Sequence, residues 1–367
     1  MFTIDTVQKI QDMARGAVFL GAGGGGDPYV GELFLRQQLT EGRHAKIIDA
    51  TELADDAFVV VMAGMGAPNV LVEHLVSKVA LMRLFEHAEK YYDRKIDALI
   101  SGEIGGANSV FPVALGAQMG VPIVDGDGMG RAFPRIEMTT FSIFGIKATP
   151  AFVMDESGNL VTFDIINDHL AEDVMRAVCA ALGSMVYGIF FQMTGAQINK
   201  VAVLGTISQS MEIGRAIREA RDHCDDPFEG LLKYLNHPAS GRYARVLYDG
   251  KIVDVTHEIR DGWHWGKATI GNSSGEGDQF TIEIQNEYIV ARRNGRTVTV
   301  VPDLITVLDT ETAEPLTAEM LVYGQRVRVI GYSAADKLRL PESLKVVGPR
   351  MFGLDEDFIP IEQLVGS

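Results

Sequence analysis

Four apolar runs within the first 130 residues each stop at a cluster of glycines: VFLGAGGGGDP (18–28), VVVMAGMGAP (59–68), ALISGEIGGANS (98–109) and VPIVDGDGMG (121–130). A β-branched run that ends in glycine and resumes with helical periodicity is the pattern of a strand in a parallel sheet feeding a crossover helix. Four in series predict an α/β fold with a mainly parallel sheet, whose glycine-rich strand-end loops share one edge. In open α/β sheets ligands bind at that carboxyl edge. The pattern thus locates a site before it says what the site does.

Between these runs the spacing predicts helices over 3–14, 29–38 and 70–92, and a strand over 45–50 with Asp49 at its end. Beyond Arg131 the pattern shortens, and Asp155-Glu156-Ser157-Gly158-Asn159 reads as the turn of a hairpin. Helices are expected over 168–191, with Asp168 as N-cap, and over 208–221. From residue 241 the sequence is strand-like, and Asn294-Gly295 is a type I′ hairpin signal. The expected organisation is an α/β domain over 1–166 carrying the glycine-rich and acidic loops. A helical connector and a β-rich C-terminal domain follow over 167–367, the β part spanning 241–350.

A hydrophobic content of 47% suffices for a large core, while 33 basic against 49 acidic residues give a net charge of −16. That balance argues against the basic stripe that nucleic acid or an anionic membrane surface requires. Two cysteines, Cys179 and Cys224, make no disulfide framework and point to a reducing cytoplasm. The N-terminal segment lacks the basic and apolar regions of a secretion signal, and no apolar run reaches the roughly 18 residues that span a bilayer. A soluble, cytoplasmic protein is expected.

The segment 21–29 holds Gly21, Gly23 and Gly26 at dinucleotide-fingerprint spacing. A run of four glycines meets that spacing in several frames, and Asp27 puts a carboxylate where a pyrophosphate would lie. The segment is either a tight turn with Asp27 as cap and Pro28 at the first helical position, or a row of amides at Gly24, Gly25 and Gly26 lining an anion pocket. Glu103 ends a strand expected to be buried, where a carboxylate needs a partner, a metal or a raised pKa. Asn108 is placed to cap the next helix or orient a substrate amide. Asp125 and Asp127 can converge on one hard cation or split into an acid and a base, and Arg131 can hold one of them or a substrate carboxylate. With Asp27, Glu103, Asp125 and Asp127 on one edge, a divalent metal ion or a shared proton is expected. The histidines show no metal-ligand spacing. His169 is expected at a helix cap or on the surface, and the GWHWG segment around His264 either packs the β-rich part or stacks on a flat ring. Cys179 falls in an apolar helix and no GxSxG elbow is present, which disfavours covalent catalysis.

Taken in order, GAGGGGDPY, SGEIGGANS, DGDGMGRAFP, QNEY (285–288), VPDLI (301–305) and VGPRMFG (347–353) resemble the S-methyl thiohydantoin desulfurase family over nearly the whole chain. That bacterial group is often encoded near, or fused to, hydantoinase-type enzymes. The resemblance implies an N-terminal α/β domain, a C-terminal β-containing domain, and hydrolytic release of methanethiol from an S-methyl thiohydantoin to leave a hydantoin. The family pattern after Arg131 continues Ala-x-Pro-Glu; here Arg135 stands where that glutamate would be, and Glu137 is the nearest substitute. The expected base or metal set is Glu103, Asp125 and Asp127, with Arg131 as organiser. Gly24, Gly25, Gly26, Asp27 and Asn108 form the expected substrate-binding group. A homo-oligomer is expected. The rival readings are a non-catalytic or regulatory partner of a hydantoinase, and a nucleotide-binding α/β enzyme.

Overall fold

The computed structural model describes residues 1–66, 77–223, 226–260, 263–271 and 277–364. His74, Cys224 and the start of the helix expected over 70–92 lie outside them.

The first sheet contains β1 (Phe2–Ile4), β2 (Ala45–Ile48), β3 (Phe58–Gly66), β4 (Ala98–Ser101), β5 (Ile123–Asp127), β6 (Ala151–Met154), β7 (Leu160–Phe163), β8 (Met185–Thr194) and β9 (Val203–Leu204). Their order is β1-β2-β5-β4-β3-β8-β6-β7, with β9 added to β5. Strands β2, β5, β4 and β3 run parallel, and β8, β6 and β7 extend them antiparallel. The sheet is therefore mixed rather than mainly parallel. Both faces are covered: Val60, Met62, Leu99 and Ile123 enter one apolar cluster, and Val59, Val61, Ala98, Ile100 and Val124 enter the other. Burial on both sides explains why these strands read as unbroken apolar runs.

The run beginning at Val18 is not a strand. Helix Val7–Leu20, capped by Thr6, continues through it, and Ala17, Val18, Phe19 and Leu20 are all buried. The helix is crossed at backbone contact by helix Thr206–Asp222. A Cβ at Gly16 would lie 1.7 Å from the Ser210 carbonyl oxygen, and one at Gly214 would lie 1.9 Å from that of Asp12. Because the last turn of the helix is buried on every side, apolar residues fill every position there, and periodicity cannot tell such a turn from a buried strand. The same ambiguity hides β8. Helix Asp168–Ala181 stops at Gly183 and Ser184, both at positive φ, and Met185–Thr194 pairs with β3 instead of continuing the helix expected to 191. Asn167, not Asp168, caps that helix; Asp168 accepts from the Ala148 amide and the Ser142 hydroxyl. Cys179 is buried in this helix, and burial pushes its thiol up to about 11.

The turn at 155–159 is the hairpin loop between β6 and β7, with Asp155 accepting from the amide and side chain of Asn159. The second sheet is entirely antiparallel. It comprises β10 (Ala244–Arg260), β11 (Trp263–Gly271), β12 (Gln279–Gln285), β13 (Glu287–Arg293), β14 (Arg296–Val300), β15 (Leu304–Asp309), β16 (Pro315–Leu316) and β17 (Arg326–Tyr332). Their order is β14-β13-β12-β11-β10-β17-β15-β16. Asn294 and Gly295, at φ +50° and +80°, make the expected turn between β13 and β14. Among the described residues no helix is long and apolar enough to cross a membrane.

Candidate active site

The two sheets meet at a cleft of about 650 Å³. Its floor is the segment Gly23–Gly26, which follows a helix rather than a strand and so lacks the context of a dinucleotide fingerprint. The segment is held on two sides. Gly25 and Gly26 offer their carbonyls to the Ala107 amide at the start of helix Gly106–Met119, while the Ala22 and Gly23 carbonyls accept from the Tyr288 and Ala318 amides of the β-rich half. Only glycine fits: at Gly25, φ +82°, a Cβ would lie 2.3 Å from the Gly105 carbonyl carbon.

Of the residues expected from sequence, Gly24, Gly25, Gly26, Glu103 and Asn108 line this cleft. Glu103, in the loop after β4, is 7% exposed. Its Oε1 accepts from Asn108 Nδ2 at 2.8 Å and its Oε2 from the Phe133 amide at 3.2 Å. Burial pushes its carboxyl up to about 7; repulsion from Asp127 adds to that, and the two hydrogen bonds and Arg131 oppose it.

The other expected residues lie elsewhere. Asp27 accepts from the Tyr29 amide at 2.9 Å and fixes the turn into the next helix. Asp125 caps helix Thr206–Asp222: its Oδ1 accepts from the Ile207 and Ser208 amides, both at 3.0 Å, and its Oδ2 from the Ser208 hydroxyl. Asp127 is fully buried beneath the cleft, where its Oδ2 accepts from the Met129 and Gly130 amides at 2.8 and 2.7 Å and closes the turn. Burial pushes its carboxyl up to about 7. Arg131 is also fully buried, and among the described residues it makes no ion pair with a carboxylate. Its guanidinium donates to the carbonyls of Ala132, Pro302, Asp303 and Tyr288. The acids therefore do not form one converging set, because Asp27, Asp125 and Asp127 each meet backbone amides of their own. Among the described residues no group of three or more His, Cys, Asp or Glu side chains is arranged to hold a metal ion.

Sequence reasoning missed the partner of Glu103. Glu287, the first residue of β13, is 3% exposed and lines the same cleft. Its carboxylate packs on the glycine floor so closely that a Cβ at Gly24 would lie 2.3 Å from Oε1, and among the described residues its Oε2 has no hydrogen-bond partner. Burial, then repulsion from Glu103, raises its carboxyl well above the usual range, against the pull of Arg131 and Arg176. Two carboxyls thus line one cleft, both raised by burial and by a neighbouring acid.

Further out, His257 Nε2 lies 3.0 Å from the Leu321 carbonyl and His257 Nδ1 lies 2.8 Å from His264 Nε2. A carbonyl only accepts, so His257 carries a proton on Nε2. Burial, with the neighbouring His257, holds His264 below the usual imidazole range. The rings flanking His264 serve guanidiniums: Arg176 lies 4.3 Å over Trp263 and Arg260 lies 5.9 Å over Trp265. Arg135 lines the cleft mouth and pairs with Glu137 and Asp173, next to an exposed His169.

The fold and cleft define a class: a mixed α/β unit joined to an antiparallel β unit, with a buried carboxyl pair drawn from both. Matches to family models say which one. The S-Me-THD-like N-terminal domain matches residues 8–165 and the S-Me-THD-like C-terminal domain matches residues 166–361, so the chain belongs to the S-Me-THD-like family. A crystal structure of a protein from Chromobacterium violaceum is similar with a TM-score of 0.82, covering 98% of this chain and 100% of that one at 21% identity, a likeness of fold. No curated protein matches the chain.

Proposed function

We propose that the chain hydrolyses an S-methyl thiohydantoin-like ring to a hydantoin and methanethiol, with Glu103 and Glu287 as base and acid. The observation that carries this reading is the buried carboxyl pair on one cleft, Glu103 pushed up to about 7 and Glu287, with one carboxyl oxygen unpartnered among the described residues, raised above the usual range. Two raised carboxyls on one cleft support paired proton-transfer roles. Glu287 gives its proton to the ring nitrogen, which makes the carbon bearing sulfur electrophilic. Ionised Glu103 takes a proton from water as the water oxygen bonds to that carbon. On collapse the C–S bond breaks, sulfur leaves with the proton held by Glu103, and the new hydroxyl returns a proton to Glu287 as it becomes a carbonyl. Both carboxyls end as they began.

Asn108 fits a role in fixing Glu103, since its Nδ2 donates to Oε1 while its Oδ1 is held by the Gly64 amide at 2.8 Å. Arg131 is a positioning residue. It grips the carbonyl of Tyr288, next to Glu287, and the carbonyl of Ala132, next to the Phe133 amide that binds Glu103. The nucleotide-binding alternative is weakened by the glycine segment, whose carbonyls already occupy the start of helix Gly106–Met119. A partner without chemistry of its own would not need an unpaired buried carboxylate oxygen. The deciding experiment is methanethiol release from an S-methyl thiohydantoin by the purified protein, read with a thiol reagent. Release that Glu103→Gln abolishes supports the reading; no release from the intact protein sinks it.

A further inference from the structure

A cleft of about 650 Å³ is of the size that holds drug-sized ligands, far larger than a bare five-membered ring. Asn108 marks the seam between its acidic and apolar walls, because its side chain joins Glu103 to the Gly64 amide. Past Gly64 the lining is Met65 on β3 and Met185, Phe190 and Phe191 on β8, the two strands pairing antiparallel.

Consecutive residues of a regular strand point to opposite faces, yet Phe190 and Phe191 both line the cleft. The cause is a bulge. Val60 pairs with Gln192 and Val61 with Phe190, which leaves Phe191 as the extra residue, at φ +41°. A left-handed conformation is strained for an aromatic residue, and bulges of this kind re-aim side chains beside functional sites. Here the strain turns a second phenyl ring into the cleft. Met65 and Met185 add flexible thioethers that conform to varied apolar shapes. The charged groups at the mouth are already committed, Arg176 to Glu172 and Arg135 to Glu137 and Asp173.

We infer that this wall is the subsite for a substituent on the ring, and that the substituent is bulky and apolar, of the branched-aliphatic or aromatic class. The inference takes its ring from the desulfurase reading, but its wall stands independently. The test compares three S-methyl thiohydantoins, unsubstituted, isobutyl-substituted and carboxymethyl-substituted, by kcat/KM for methanethiol release. The isobutyl ring should exceed the unsubstituted one by at least about 10-fold and the carboxymethyl ring should fall below both. Equal values, or a preference for the carboxymethyl ring, overturn the inference while leaving the chemistry intact. Met185→Gln should bring the isobutyl preference toward one; an unchanged preference counts against the wall. Should no ring release methanethiol, the desulfurase reading fails. Calorimetric binding of the three matching hydantoins then decides the subsite: at least about 10-fold tighter binding of the isobutyl compound supports it, and equal or no binding overturns it.

Discussion

Glu287 and Glu103 come from different sheets and meet only because the glycine floor lets the β-rich half approach the loop after β4. Each carboxyl should be indispensable to turnover. Glu103→Gln and Glu287→Gln keep shape and hydrogen bonding but abolish proton transfer, and each should lower kcat by ~10²–10⁴-fold with an unchanged circular dichroism spectrum. The pH profile should be bell-shaped. Activity rises with a midpoint near 7 as Glu103 ionises and falls at higher pH as Glu287 gives up its proton. Glu103 was legible because an acid at the end of an apolar strand is out of place. Glu287 was not, since an acid at the first position of a strand reads as a solvent-facing turn residue until the partner across the cleft is known.

At the scale of elements, the acidic loop after β5 and the glycine floor do different work from what their composition suggests. Asp125 is a helix cap, so Asp125→Ala should cost about 1 kcal/mol of stability in urea unfolding and leave kcat unchanged. Gly24 is the converse. Its Cβ position is filled by the Glu287 carboxylate, so Gly24→Ala should reduce kcat through displacement of that group. Rescue of activity by the double change with Glu287→Asp, one methylene shorter, would separate this from general loosening of the loop. The acids of β5 looked convergent in sequence because spacing does not record which backbone amides are free to meet each carboxylate.

At the scale of the molecule, Arg131 ties the two units together through the carbonyls of Tyr288, Pro302 and Asp303, and Thr306 adds a hydrogen bond to the Phe19 carbonyl. Arg131→Met leaves those carbonyls unpaired in the interior, at about 1–3 kcal/mol each where water cannot replace the donor, and should lower the urea midpoint sharply. The buried acids set a second global property. Glu103 and Asp127 rise from 4.5 and 3.8 to about 7, so the folded protein keeps protons that the unfolded chain releases. Their contribution to stability is complete below about pH 4, is lost as pH climbs to 7 and is level beyond. The urea midpoint should therefore fall between about pH 5 and about pH 8, and by less in Glu103→Gln.

From its own pattern the chain determined the strands β2 to β5, the hairpin at 155–159, the β-rich part beyond residue 241 and the family, because local periodicity, turn chemistry and ordered motifs are carried by neighbours in sequence. Only the tertiary structure decided that residues 18–20 are helical, that 185–194 form a strand and that Glu287 rather than Asp125 joins Glu103. Fully buried segments lose the period that tells helix from strand, and a carboxylate's role depends on which distant backbone or side chain reaches it first.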